Sequence, residues 1–285
     1  MKFAYFPGCK IAHHLPWYGS SLEAVCAAVG IELVKLEFSC CGWPVRHESE
    51  VASLYSAVRN FIIAHRAGLP ILTPCKCCFG NLKYAQSRMQ EDVEQRTRVL
   101  QILHREGLVF PEAVPVFHLL NVLESHVGFQ VLTGMTKTPL SGVRVACHYG
   151  CHALRPGIVT GFDDPLAPTL FERLVESIGA ESVKWDLRLE CCGHPLRGRD
   201  DKISDALMRK KLEDAASAGA DVLATACTYC QLQFDRSRAK LPVNASLRLA
   251  PPAVLVTQLI GTALGLDETV LGVKENSIPW RRPVL

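Results

Sequence analysis

Residues 31–44 read IELVKLEFSCCGWP, and residues 182–195 read SVKWDLRLECCGHP. In both, an apolar run of strand composition ends in two adjacent cysteines, a glycine, one variable residue and a proline. The match continues outward. A C-x-x-C follows each pair: 33 residues separate Cys41 from Cys75–Cys78, and 34 separate Cys192 from Cys227–Cys230. A glycine–cysteine precedes each pair: 30 residues separate Gly8-Cys9 from Cys40, and 39 separate Gly150-Cys151 from Cys191. Ten cysteines thus form two copies of one pattern, the mark of an internal duplication.

The segments between the cysteines repeat as well. Phe3 to Phe6 and Val143 to Ala146 read as short strands leading into the first cysteine. Helical spacing follows at 20–30 and 168–180, then a second strand at 31–37 or 182–186 runs to Cys-Cys-Gly. A longer helix, 50–68 or 202–220, leads to a third strand, 70–74 or 221–226, that stops at the C-x-x-C. Strand and helix alternate, which predicts an α/β fold with a small parallel sheet in each half. The reading is two Rossmann-like βαβ domains, residues 1–140 and 141–285, with prolines 111, 115 and 139 marking turns in the link from Val109 to Ser141. A helix is expected in LLNVLESHVG and a long, polar one from Lys83 to Glu106. In open parallel sheets the loops after the carboxyl ends of the strands share one edge. All three cysteine groups of a copy follow strands, so residues about 30 apart converge there.

The chemistry follows from the donors. The cysteine count is 13, an odd number in a chain of 285 residues without an export signal, so bridging is not their expected role. Structural zinc takes four ligands and usually includes histidine. Five soft thiolates per half favour an iron–sulfur core instead, and neighbouring cysteines suit a core in which they reach different metal atoms. Five ligands are one more than a four-iron cubane requires, which hints at an opened cluster. A zinc-stabilised assembly module is the reading from another class.

With both copies complete, from Phe-Pro-Gly-Cys at 6–9 to Cys-Thr-Tyr-Cys at 227–230, the chain resembles the B subunit of heterodisulfide reductase. The likeness extends into the tail PAVLVTQLIGTALGLDE. That resemblance implies two non-cubane four-iron clusters. One would be held by Cys9, Cys40, Cys41, Cys75 and Cys78, the other by Cys151, Cys191, Cys192, Cys227 and Cys230. It further implies a disulfide substrate between the clusters, and electrons arriving through a ferredoxin-like C subunit from a flavin-containing A subunit; oxidation of a thiol or sulfane-sulfur substrate would use the same parts in reverse. Turnover is then expected to depend on Cys41 and Cys192. The rival within redox chemistry is an electron relay between a dehydrogenase and a quinone partner, with no substrate of its own.

The remaining residues bound these readings. His152 and His194, like His148, flank second-copy cysteines, and His13 and His14 follow Cys9. They read as proton donors for a leaving thiolate or as polar packing. Arg155, Arg188, Arg197 and Arg199 read as a solvated face or as contacts to an anionic substrate. Cys26 reads as a small core residue and Cys147 as strand packing, while Cys77 competes with Cys78 for one ligand position. The chain has no ferredoxin cysteine run and no dinucleotide-binding glycine motif, so electrons are expected from a partner protein. With 31 basic against 28 acidic residues there is no basic stripe for nucleic acid. The longest apolar stretch near the C-terminus, Leu249 to Val256, is too short for a membrane span. A cytoplasmic subunit is expected.

Overall fold

The computed structural model describes residues 1–111, 114–242 and 245–280. Two four-stranded parallel sheets organise it. The first contains β1 (Lys2–Tyr5), β2 (Glu32–Lys35), β3 (Ile71–Thr73) and β4 (Val116–His118), in the order β2-β1-β3-β4. The second contains β5 (Arg144–His148), β6 (Glu181–Ser182), β7 (Val222–Thr225) and β8 (Ala253–Leu255), in the order β6-β5-β7-β8. The orders correspond strand for strand, so the duplication read from the cysteines is a duplication of fold. Ala4 lies opposite both Val34 and Ile71, and Val145 opposite Ser182 and Val222. The central strands β3 and β7 are buried throughout, as strands covered by helices on both faces must be.

The helix spacing explains how each sheet is covered. Helix Glu50–Arg66 starts at Ser49, whose hydroxyl accepts the Ala52 N–H at 3.2 Å, and it buries Leu54, Ala57, Val58 and Phe61. Its counterpart Asp201–Ser217 starts at Asp200, which accepts the Ile203 N–H at 3.0 Å, and buries Met208, Leu212 and Ala215. Such caps satisfy N–H groups that a helix start leaves open.

Several elements differ from the sequence reading. Each sheet gains a fourth strand, β4 or β8, whose three residues are too few to show a period of two. β6 has only two paired residues, Glu181 and Ser182, so of the expected 182–186 segment Ser182 alone is strand. The polar helix over 83–106 is two helices, Lys76–Glu91 and Val93–Arg105, because Asp92 leaves helical geometry and caps the second by accepting the Gln95 N–H at 3.0 Å. The helix expected in LLNVLESHVG is a short α-turn, Leu119–Val122, running into a π-turn, Leu123–Val127.

The halves are interleaved. Helix Val256–Ala263, which follows β8, packs on helix Pro16–Ala28 of the first half, where the Ser21 and Thr257 hydroxyls meet at 2.7 Å in a buried contact. Reciprocally, helix Phe129–Met135, which follows β4, packs on helix Leu170–Ser177 of the second half, and the Thr133 hydroxyl donates to the Ser177 carbonyl at 2.8 Å. Buried His118 joins the two. Its Nδ1 accepts the Leu120 N–H, so Nε2 carries the proton. Nε2 lies 3.2 Å from the Pro74 carbonyl of one half and 3.1 Å from the Ala226 carbonyl of the other. One continuous apolar core runs through both halves.

Candidate metal centre

In each sheet the first strand lies between the second and the third, so the chain leaves it in opposite directions and opens a crevice at the carboxyl edge. Cys9 follows β1 and Cys75 follows β3; Cys151 follows β5 and Cys227 follows β7. Cys75 is the cap residue of helix Lys76–Glu91, and Cys78 sits one turn in on the same face. Cys227 and Cys230 stand the same way at helix Thr228–Gln231. The adjacent-cysteine motifs are tied by matched contacts: Cys40 Sγ accepts the Gly42 N–H at 3.4 Å, and Cys191 Sγ accepts the Gly193 N–H at 3.4 Å.

The glycines of the motif are dictated by space. Gly42 and Gly193 have φ of 89° and 87°. A Cβ at either would lie 2.4 Å from the Ser53 carbonyl oxygen or 2.6 Å from that of Ser204. At Gly8, φ 67°, a Cβ would lie 2.8 Å from Cys78 Sγ. Glycine therefore keeps the loop against the thiols open.

Five thiols touch in sequence within each half. In the first, Cys9 contacts Cys40, Cys40 contacts Cys41, Cys41 contacts Cys78 and Cys78 contacts Cys75. In the second the series is Cys151, Cys191, Cys192, Cys230 and Cys227. The series meet at their inner ends, where Cys75 Sγ lies 3.9 Å from Cys227 Sγ. Cys9 is exposed, whereas Cys75 and Cys227 are buried. Hydrogen bonds from Cys40 and Cys78 hold Cys41 well below the ordinary thiol range, and bonds from Cys151 and Cys192 do the same for Cys191. Their neighbours Cys40, Cys78, Cys151 and Cys192 are pushed up in turn, first because each hydrogen-bonds as a thiol to Cys41 or Cys191, with burial and like-charge repulsion adding to it.

Two buried ammonium groups face the second series. Lys76 is 2% exposed; its Nζ donates to the His148 carbonyl at 3.0 Å and lies 4.8 Å from the Phe171 ring. Lys211, also 2% exposed, donates to the Leu187 carbonyl and lies 4.8 Å from the Trp185 ring. Among the described residues neither makes an ion pair with a carboxylate. Burial pushes both amines down to about 8, against an opposing pull from Cys230 and other thiols of this half. A buried cation without a carboxylate calls for another negative charge. Thiolates bound to an iron–sulfur core make the whole cluster negative and supply one, and the five-thiol sets and glycine cradles fit such a group.

The flanking residues sort themselves. His148 Nε2 lies 3.2 Å from Cys230 Sγ, and His148, Cys192 and Cys230 form a compact His-Cys-Cys group. That group alone would suit zinc, but Phe6 stands at the corresponding place before Gly8-Cys9, so the donors common to both halves are thiols. Trp43, Tyr229, His152 and His194 occupy the space where the halves meet. Trp43 is 5.0 Å from His152 and 5.6 Å from Tyr229, and His194 is 4.6 Å from Tyr229, ring centre to ring centre. Burial holds His194 down to about 4 and also lowers His152, so both imidazoles are neutral at pH 7. His13 and His14 are exposed on helix Gly8–His14. Arg188 pairs with Glu172 at 2.6 Å, Arg197 with Asp205 at 2.5 Å and Arg199 with Glu48 at 3.4 Å, while Arg155 is exposed. Cys26 and Cys147 are buried. The buried lysines were not singled out from sequence, since nothing in a lysine's neighbours along the chain foretells its burial.

The model of the CCG family, described as a cysteine-rich domain, matches residues 3–83 and again 145–235. The chain belongs to this family. Among the relatives of this CCG protein is the 8-methylmenaquinol:fumarate reductase membrane anchor subunit of Wolinella succinogenes, 32% identical over 97% of both chains. Another is the B subunit of the ferredoxin/F420H2-dependent CoB-CoM heterodisulfide reductase of Methanosarcina acetivorans, 30% identical over 97% of this chain and 94% of that one. A protein of Archaeoglobus profundus, named as similar to the B subunit of heterodisulfide reductase, is 30% identical over 96% and 94%. The resemblance to the heterodisulfide reductase chains therefore spans nearly the whole protein. A crystal structure of a hypothetical protein from Helicobacter pylori shares the fold, with a TM-score of 0.74 at 13% identity over 98% of this chain and 52% of that one. Among the described residues no helix is long and apolar enough to cross a membrane.

Proposed function

We propose that this CCG protein is the iron–sulfur catalytic subunit of a heterodisulfide reductase-like complex, cleaving or forming a disulfide between two non-cubane four-iron clusters. Cys9, Cys40, Cys41, Cys75 and Cys78 would hold one cluster, and Cys151, Cys191, Cys192, Cys227 and Cys230 the other. The two units are residues 1–140 and 141–285. The observation that carries the reading is the meeting of two equivalent thiol series at Cys75 and Cys227, 3.9 Å apart. When bound, thiolate-held clusters supply single electrons and iron positions that accept sulfur.

The chain's own residues set the conditions around that chemistry. Reducing a disulfide to two thiols consumes two electrons and two protons. Two sets of ligands side by side let one electron come from each. Trp43 and Tyr229 wall the space between the sets and limit water, while the neutral imidazoles of His152 and His194 each offer an N–H to a developing thiolate. The electrons would come from a flavin-containing partner through a ferredoxin-like one, in a complex placed in the cytoplasm.

A second reading is an electron relay towards a quinone partner without a substrate of its own. Its support is the 32% identity with a subunit of a menaquinol:fumarate reductase. The deciding experiment is anaerobic purification followed by dye reduction. The disulfide reading expects about eight irons per chain with matching sulfide and reoxidation of the reduced chain by a disulfide. Reoxidation by a quinone-linked partner but by no disulfide favours the relay. Stoichiometric zinc without sulfide overturns both.

A further inference from the structure

We propose that Cys77 is a sixth sulfur ligand, supplied by the first half of the chain to the cluster of the second half. This rests on the iron–sulfur reading above and deepens it. Cys77 lies in the first turn of helix Lys76–Glu91, between the paired positions Cys75 and Cys78. Successive helical residues are rotated by about 100°, so a sulfur one residue before Cys78 leaves the face that Cys78 presents to its own half. The cavity of the first half is bordered by Cys9, Cys40, Cys41 and Cys78. Cys77 borders the other cavity, with Cys151, Cys191, Cys192, Cys227 and Cys230. Its Sγ lies 3.7 Å from Cys227 Sγ, and His152 Nδ1 stands 3.1 Å away on the second half. The sulfur is thus fixed from the side it faces.

The duplication sharpens the point. Cys77 corresponds to Tyr229, the second inner residue of the other C-x-x-C. Tyr229 also reaches across, bordering the cavity of the first half. Each half therefore extends the two inner residues of its C-x-x-C into the other's cavity, Lys76 and Cys77 on one side and Thr228 and Tyr229 on the other, but only the first half extends a thiol. One set has five sulfurs and the other six, and the two clusters become inequivalent.

The test is spectroscopic and uses the full chain, purified anaerobically. Cys78→Ala and Cys230→Ala assign the low-temperature EPR and Mössbauer signatures of the first-half and second-half clusters by abolishing one each. Cys77→Ser is expected to shift the signature that Cys230→Ala abolishes and to leave the other unchanged. Cys77→Ala should lose part or all of the second-half iron. Where Cys77→Ala fails to fold, the near-isosteric serine variant decides. Wild-type iron content and both signatures intact in the variants would overturn the proposal, as would a change confined to the first-half signature. Wild-type chain free of iron and sulfide would overturn both the proposal and the reading of the site.

Discussion

At the scale of single residues, the thiols divide by what they touch. Cys192 lies in a contact series with Cys191 and Cys230, whereas Cys26 is buried among apolar side chains. Cys192→Ala should lose the second-half iron and abolish turnover. Cys26→Ala should keep both clusters and cost at most about 2 kcal/mol of packing. Iron analysis separates these outcomes, and their reversal would refute the ligand assignment. Lys211 allows a test of opposite sign in the two forms of the protein. Its amine is held at about 8 rather than the ordinary 10.5, so the folded, cluster-free chain disfavours the ammonium. That penalty is full below about pH 8 and fades as pH rises towards the ordinary value, by up to about 3 kcal/mol. Lys211→Met should therefore stabilise the cluster-free chain in urea at pH 7 and less so at pH 10. With clusters bound, the same change removes a positive charge near Cys230 and should lower the second-half reduction potential. An equal stability gain at both pH values would show that burial of the charge is not what the lysine costs.

At the scale of elements, helix starts do two kinds of work. Ser49 and Asp200 occupy matched places and cap matched helices that frame the Cys-Cys-Gly loops. Ser49→Ala should cost about 1 kcal/mol, while Ser49→Asp keeps the cap and the stability. Neither should alter iron content. Urea denaturation with iron analysis checks this, and loss of iron in Ser49→Ala would mean that the cap positions the thiols as well. The start of helix Lys76–Glu91 is aimed at the site, with Cys75 as its cap residue, and its partial positive charge favours thiolate there. Long helices were legible because their apolar spacing recurs over several turns. The break at Asp92 was not, since the residues on both sides keep helical spacing and one side-chain cap decides it.

At the scale of the molecule, the exchanged helices govern behaviour. Helix Val256–Ala263 covers the first half and helix Phe129–Met135 the second, and His118 bonds to carbonyls of both. With one core through both, the whole chain should unfold in a single transition, with calorimetric and van't Hoff enthalpies equal. Two resolved calorimetric peaks would show halves that are stable apart. The charge distribution breaks the duplication: Lys76 and Lys211 correspond to Thr228 and Asn60, so the buried cations gather on one side.

The sequence by itself determined the duplication, the parallel α/β character and the grouping of ten cysteines. These rest on spacing along the chain and on periods that hydrophobic burial imposes locally. The tertiary structure decided which half Cys77 faces, which helix covers which sheet, that Lys76 and Lys211 are buried, and that three of the four arginines near the second motif already have acidic partners. Each of these depends on contacts between segments far apart in the chain. A residue's neighbours in sequence set its conformational preference, but its burial, charge state and partners are set by whatever the fold brings against it.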